Sequence, residues 1–562
     1  MFQWIEKNIF QGKRPYLLIL GLGFLIYFQA FFFDFSYLDD NTLILDNQYF
    51  LGNLSNIVAA FRTDVFHLFN HSAFYYRPIL TLSFMIDYQL GGIEPFMYHF
   101  TNVALHLFAA CLVFLFLKKL NYRKDLSLLF SLIFLAHPIL TQTVAWIHGR
   151  NDSLLAVFIL LTFISLVEYL NKNFQIHFIY FLIFFALAIF TKESAIVFLP
   201  LAAFYLYFIN KEKKNIFKSV YIFAGMTLIL AVWAILRHNA LSGSMSMNFS
   251  TMIKSVLLNS PATIQFIGKV FFPFNLSVLP VMQDTTFVYG IVAVILVLIA
   301  FFFTKEKRWS FMLFGLGWFF AFLLPSFVRP NTQLVADFIE HRMYVPIIGF
   351  FIFLMETDAV KKFNYKKNSS LFIACAILII LSSITIAHSR VFVDRITFWK
   401  NAVENSPHYP LAHRNLGAMY YLDKQPDKAA PEFEKAIELN STEEMAHNNL
   451  GLIYMDRGDF EKSENEFKKE LEVNPYYDNA YSNLGLLYFK MGKFDQAEDS
   501  WKKALGINPN LFEVIQNLAT LNYQQKNFQE AATWVNELNS RGIQAPVELQ
   551  KLVQPTNSMR MK

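Results

Sequence analysis

Two cysteines in 562 residues, Cys111 and Cys375, both inside apolar runs, leave nothing from which to build a disulfide framework or a Cys-based metal site. Charge is scarce too. Only 16% of residues are Asp, Glu, Lys or Arg, against about 25% in a soluble protein. The basic residues sit at the ends of apolar runs rather than in a patch, which argues against a nucleic-acid partner. There is no glycine-rich phosphate loop and no DxD in a strand-helix setting, so no machinery for a soluble nucleotide-sugar is visible.

What the chain has in abundance is apolar surface: 55% apolar residues, 17% aromatic, and 64 phenylalanines. Crossing a bilayer takes roughly 20 helical residues. Eleven apolar runs come near that length, at 16–33, 99–118, 126–139, 152–170, 176–190, 194–210, 216–236, 288–304, 309–325, 343–357 and 370–388. They predict an all-α, polytopic membrane domain. The first run follows Lys7, Lys13 and Arg14, and no small-x-small cleavage site follows it, so it reads as an uncleaved signal-anchor. With the N-terminus cytoplasmic, the inner loops hold 19 Lys and Arg and the much longer outer loops nine. A weaker run at 252–272 would invert the later loops if it crossed, so it is expected to be an interfacial or re-entrant helix. The segments 34–98, 137–151, 191–193, 237–287 and 326–342 then share the outer side, and so does the C-terminal domain. The first outer loop is partly apolar (LSNIVAAFRTDVF, then PILTLSFMIDYQL), which predicts helices along the membrane surface.

Net charge changes sign near residue 390, from +9 before it to −4 after it, as expected for a change of solvent and of domain. From Ala412 the chain repeats every 34 residues. Ala412, Ala446, Ala480 and Val514 open the units; Asn-Leu-Gly recurs at 415–417, 449–451 and 483–485; Tyr420, Tyr454 and Tyr488 follow; Phe433, Phe467 and Trp501 mark the second helix. This is the tetratricopeptide pattern, an α-solenoid whose concave face usually binds peptide or protein. A structural spacer is the plainer alternative. Trp399, Ala402 and Pro407 fit the same register one repeat earlier. The expected organisation is a membrane domain 1–389, a connecting half-repeat 390–411, about four repeats over 412–546, and a tail 547–562.

Four polar clusters could carry chemistry. Phe35 to Asn47 places adjacent carboxylates, Asp39 and Asp40, just past the first run; a solvated turn would also account for them. HPILTQTVAWIHGRND, at 137–152, carries His137, His148, Arg150 and Asp152. The histidines lack a metal-ligand spacing, and Asn151 or Asp152 can cap the helix that follows. Lys192-Glu193 reads either as an interfacial ion pair or as functional charge within the membrane. Arg342 follows Glu340 and His341 where an outer loop enters a run; its fork suits phosphate oxygens, and helix-end snorkelling is the rival reading. Together they suit a lipid-linked phosphate donor: a carboxylate base deprotonates a hydroxyl, and cations stabilise the departing phosphate.

The order of motifs resembles the transmembrane and tetratricopeptide-repeat (TMTC-type) O-mannosyltransferases, and more broadly the GT-C glycosyltransferases. The pieces are YLDDNTLILDN (37–47), YYRPI (75–79), HFTNVALH (99–106), HPILTQTVAWIHGRNDSLL (137–155), TKES (191–194), EHRMYVPIIGF (340–350) and the repeats. The resemblance implies that Asp39 is the base and Asp40 the second acidic place, which orients Asp39 or, with Asp39, holds a divalent ion (Mg or Mn) if one is used, with no obligate cofactor. It implies that Arg342, Lys192 and His341 meet the donor phosphate, with Glu193, Arg150 and His137 in support. His341 stands where the family more often has Glu directly before Arg, and Ser194 stands where Gln is common. The expected protein is an inverting glycosyltransferase that moves a hexose such as mannose from a polyprenyl-phosphate carrier to Ser or Thr hydroxyls of a protein held by the repeats. The expected location is a bacterial inner membrane with the repeats periplasmic, and the expected partners are membrane lipid, donor and acceptor, with no nucleic acid. The alternatives are a non-enzymatic membrane-anchored scaffold for envelope assembly, and a polymerase or ligase of lipid-linked glycans.

Overall fold

Residues 2–67, 75–172, 175–210, 216–241, 248–328 and 338–553 are described by a computed structural model. Lys211, Lys213, Lys214 and Arg329 of the loop-charge comparison, and the end of the tail, lie outside the described residues. The fold is all-α: a helical membrane domain followed by tetratricopeptide repeats. The chain divides into two compact units, Met1–Ser406 and Pro407–Lys562, with the division inside the connecting half-repeat.

In the first unit a helical segment occupies each of the eleven apolar runs. Six are long and apolar enough to cross a membrane: Arg14–Phe32, Pro95–Lys119, Ile147–Lys172, Ile216–Ala240, Trp309–Phe327 and Asn368–Phe392. Lys124–Ala136 and Pro138–Ala145 form a seventh if their 54° bend belongs to one span. The other four, Gln175–Thr191, Glu193–Ile209, Val288–Phe302 and Pro346–Met355, are shorter. The stretch around 252–272 is two short helices, Phe249–Asn259 and Ala262–Phe271. The first outer loop folds into short helical pieces and then the Pro78–Gly91 helix.

The Arg150–Lys172 helix is the buried axis of this unit. It is apolar on nearly every side, as a helix surrounded by others must be, and Arg150 through Ala156 are all buried. The bend at 137 has a local cause. Pro138 cannot continue the preceding hydrogen-bond ladder, and the buried His137 covers the break: its Nδ1 accepts from the Ile139 N–H at 3.3 Å, and its Nε2 reaches the Val270 carbonyl at 3.0 Å. A second device is a close helix crossing. A Cβ on Gly315 would lie 2.6 Å from the Gly349 carbonyl oxygen, and one on Gly349 2.6 Å from that of Gly315. Small residues let helix backbones touch inside a membrane. This crossing sets the 322–328 segment beside the 341–346 segment.

The second unit is four antiparallel helix pairs, beginning with Pro410–Leu422 against Pro426–Leu439 and ending with Phe512–Gln524 against Phe528–Ser540. Phe433, Phe467 and Trp501 are buried between the helices of their pairs, each worth a few kcal/mol of apolar burial, about 1.5–3. They fit because Gly417, Gly451 and Gly485 leave room: a Cβ on any of the three would lie within 3 Å of the facing ring.

Candidate active site

The loops expected on one side of the membrane converge on one cavity of about 410 Å³. Asp39 comes from the first outer loop, Arg77 from the start of the Pro78–Gly91 helix, and His148 and Asp152 from the 137–152 segment. Lys192 and Glu193 come from the short connection after Thr191, and His341 and Arg342 from the turn before Pro346. Leu155, Phe322, Val328 and Val345 supply apolar wall. Loops of the opposite set, at 121–126, 306–308 and 355–361, line a different cavity of about 430 Å³.

Asp39 and Asp40 point into different surroundings. Asp39 faces the cavity, with 32% of its side chain exposed, and its Oδ2 accepts a hydrogen bond from His148 Nδ1 at 2.8 Å. Asp40 is 1% exposed. Its Oδ2 accepts from the Ser36 N–H at 2.8 Å and from the Ser36 hydroxyl at 2.6 Å, which closes the 36–40 turn. Burial pushes the Asp40 carboxyl up to about 6, against the lowering effect of the Ser36 hydrogen bonds. Since Asp40 is not on the cavity wall, the doublet does not fit one chelated divalent ion there. Among the described residues no three His, Cys, Asp or Glu side chains are grouped to hold a metal.

The cations are seated on acids. Arg77 makes a two-pronged bridge to Glu193, at 2.9 and 3.3 Å. Lys192 Nζ lies 2.7 Å from Asp152 Oδ1 and 3.3 Å from Asn151 Oδ1. Burial holds the Lys192 ammonium below its ordinary range, although Asp152 opposes this. Arg342 is half-buried on the wall. His341 is held well below the usual imidazole range, first by burial and then by Lys192 and Arg342, which favours a neutral ring with a donor N–H to offer. Glu340, beside it, turns away: its carboxylate takes Lys269 Nζ at 2.6 Å and the Ser277 N–H at 3.0 Å, fixing the turn that presents Arg342.

Two residues expected to support the site lie elsewhere. Arg150 is fully buried and pairs with Asp87 at 2.5 Å, Asn102 Oδ1 at 2.7 Å and the Tyr98 carbonyl at 2.7 Å. It joins the helices Pro78–Gly91, Pro95–Lys119 and Arg150–Lys172. His137 covers the bend described above. Conversely, Arg77 lines the cavity without having been given a role, Asp152 does so as the partner of Lys192 rather than as a helix cap, and His148 does so as the partner of Asp39 rather than as a metal ligand. Arg77 had a signal in the YYRPI motif, but its partner lies 116 residues away.

Comparison with known proteins follows this geometry. Residues 80–237 match the family described as dolichyl-phosphate-mannose-protein mannosyltransferase, and 451–492 and 479–511 match tetratricopeptide repeats. Protein O-mannosyl-transferase F38B6.6 of Caenorhabditis elegans is 25% identical over 77% of this chain and 64% of its own length.

The chain is TMTC-like.

Protein O-mannosyl-transferase tmtc2 of Xenopus laevis is 34% identical to this TMTC-like chain over 28% of it and 19% of that protein. The mouse protein O-mannosyl-transferase TMTC2 is 32% identical over 27% and 18%. The matches therefore span less than two thirds of these relatives' lengths. Among solved structures, a crystal structure of MamA aligns with 26% of this TMTC-like chain and 86% of its own at 22% identity, with a TM-score of 0.25.

Proposed function

We propose that the protein is a multi-pass membrane glycosyltransferase. It takes a hexose such as mannose from a polyprenyl-phosphate carrier and transfers it to a Ser or Thr hydroxyl of a protein bound by the repeats. The observation that carries this reading is the cavity itself. An accessible carboxylate, Asp39, shares it with Arg77, Lys192 and Arg342, and with apolar wall suited to a lipid-borne ligand. The similarity to proteins named protein O-mannosyl-transferases supports the same reaction class.

On this reading Asp39 accepts the proton of the acceptor hydroxyl, whose oxygen bonds to the anomeric carbon as the bond from that carbon to the phosphate oxygen breaks. Attack from the face opposite the phosphate inverts the configuration. The electron pair stays with the phosphate, so a phosphodiester with one negative charge leaves as a phosphomonoester approaching two. Lys192 and Arg342 stabilise the added charge and His341 donates an N–H to it. His148 fixes the orientation of Asp39. The cavity opens to the outer, periplasmic side of a bacterial inner membrane.

The test is mass spectrometry of proteins outside the cytoplasmic membrane, with and without this gene. Loss of a hexose from Ser or Thr peptides is expected, restored by the wild-type gene and not by Asp39→Asn. Restoration by Asp39→Asn together with Arg342→Ala would instead identify a scaffold.

A further inference from the structure

The Arg395–Asn405 helix is the last element before the chain enters the repeat unit, yet it is built into the membrane unit. It grips two separate segments, one that carries Asp39 and one that braces the His341–Arg342 turn. On one side the fully buried Trp399 donates its indole N–H to the Ser36 carbonyl at 3.1 Å. Ser36 is the residue whose N–H and hydroxyl hold Asp40, and Asp39 lies between them in the same turn. Just before the helix, the Val393 carbonyl accepts from the Asp34 N–H at 2.9 Å. The Arg395 guanidinium sits 4.9 Å over the Tyr37 ring, at a residue held in the left-handed region with φ of 59°.

On the other side Asn401 Oδ1 accepts from the Val278 N–H at 3.2 Å, and the Ser406 hydroxyl donates to the Leu279 carbonyl at 2.8 Å. The 277–280 segment in turn holds the cationic turn. Gln142 donates to the Val278 carbonyl at 2.9 Å and accepts from the His341 N–H at 3.3 Å. Ser277 N–H binds Glu340, and Phe338 N–H reaches the Pro280 carbonyl at 3.2 Å. Trp399 and Asn401 are two positions apart, about 200° around a helix, so the helix stands between the two segments.

We infer that the Arg395–Asn405 helix sets the spacing between the Asp39 loop and the His341–Arg342 turn, with Trp399 and Asn401 as positioning residues. This rests on the reading of Asp39 as the base. Reactions between bound partners lose rate steeply when a reacting group is misplaced by about 1 Å, on the order of a hundredfold. A helix that holds the segments behind both walls, and lines the cavity at neither, therefore controls turnover without contributing to binding.

The test uses the full chain in vesicles, with polyprenyl-phosphate mannose and a Ser/Thr peptide as probes. Trp399→Phe keeps the ring and loses the N–H; Asn401→Ala loses the acceptor; Asn401→Asp keeps it. The first two are expected to lower kcat by about 10- to 100-fold, with KM for the donor and the thermal midpoint close to wild type, and Asn401→Asp is expected to restore the rate. Hydrogen exchange gives a reading independent of turnover: the Asp34 amide should exchange faster in Trp399→Phe, and the Val278 amide in Asn401→Ala. Wild-type rates and wild-type protection in both variants, beside an inactive Asp39→Asn, would overturn this inference alone. Full transfer by Asp39→Asn would overturn the underlying reading, while the exchange rates would still decide whether the helix holds the two segments.

Discussion

Asp40→Asn separates the two members of the acidic doublet. Asp40 is 1% exposed, and burial raises its carboxyl from an ordinary 3.8 to about 6. An acid raised in this way holds its proton more tightly when folded than when unfolded. The stability it contributes is therefore greatest below its unfolded value and declines as pH rises through the window from 3.8 to about 6. A shift of that size corresponds to roughly 3 kcal/mol. At pH 7.5 the wild-type protein carries the whole cost of a buried charge, and asparagine removes it. Asparagine can still accept from Ser36, but its amide nitrogen would stand where Asp40 Oδ1 has no partner among the described residues, at about 1–3 kcal/mol for a buried donor left unpaired. The variant should thus lie between neutral and about 2 kcal/mol more stable than wild type at pH 7.5. Relative to wild type, its stability should be about 2–3 kcal/mol less favourable near pH 4 than at pH 7.5. Denaturant titration of the detergent-solubilised chain at both pH values measures this directly. Transfer at pH 7.5 should stay within about tenfold of wild type, since the lost group is not the base. A difference independent of pH, or a variant as inactive as Asp39→Asn, would refute the argument.

Asp39→Asn should lower turnover by about 10²–10⁴, the usual contribution of a general base, with donor affinity retained in a binding assay on the purified chain. Arg150→Met breaks a buried pair and leaves Asp87 charged; it should cost about 3–5 kcal/mol of stability, while Arg150→Met with Asp87→Leu recovers most of it and transfer per folded molecule is unchanged in both. Gly315→Ala forces a methyl against the Gly349 carbonyl, where only backbone can give way. It should destabilise by about 1–3 kcal/mol and lower transfer, because the crossing sets the cavity wall, whereas Gly317→Ala, whose new Cβ would be 3.9 Å from the Leu201 side chain, should do neither.

The elements and their grouping were legible because they depend on local composition. Apolar runs predict helices, loop charge predicts how they alternate, and alternation alone gathers 39, 192 and 342 near one end of the bundle. The 34-residue repeat was legible because each unit must carry its own Gly and aromatic pair. The pairings were not legible, because they depend on how each helix is rotated. Arg77 and Arg150 are both lone arginines at the start of helices after an outer loop. One faces Glu193 across the cavity, and the other faces Asp87 inside the protein; no local feature of the chain separates them. Asp152 shows the same limit. Its place at a helix start suggests a cap, and its carboxylate instead meets Lys192 from the connection after Thr191.

Those pairings bear on how the proposed reaction could run. Among the described residues, three cations on the cavity wall, Arg77, Lys192 and Arg342, are matched in number by three acids, Asp39, Asp152 and Glu193. A cavity with unopposed cations would bind the donor's phosphodiester tightly before any reaction, and only interactions stronger in the transition state than in the bound ground state raise turnover. A balanced cavity attracts a singly charged diester weakly. As the bond to the sugar breaks, a second negative charge grows on the phosphate while Asp39 is neutralised by the arriving proton. The balance then tips toward the cations at the moment the leaving group needs them. Neutralising in advance an acid that seats a cation, Asp152 or Glu193, should therefore tighten donor binding and slow transfer. Asp152→Asn, which frees Lys192 without removing it, should lower KM for polyprenyl-phosphate mannose and lower kcat with it. A rise in KM at unchanged kcat would show instead that Asp152 serves only to hold Lys192 in place.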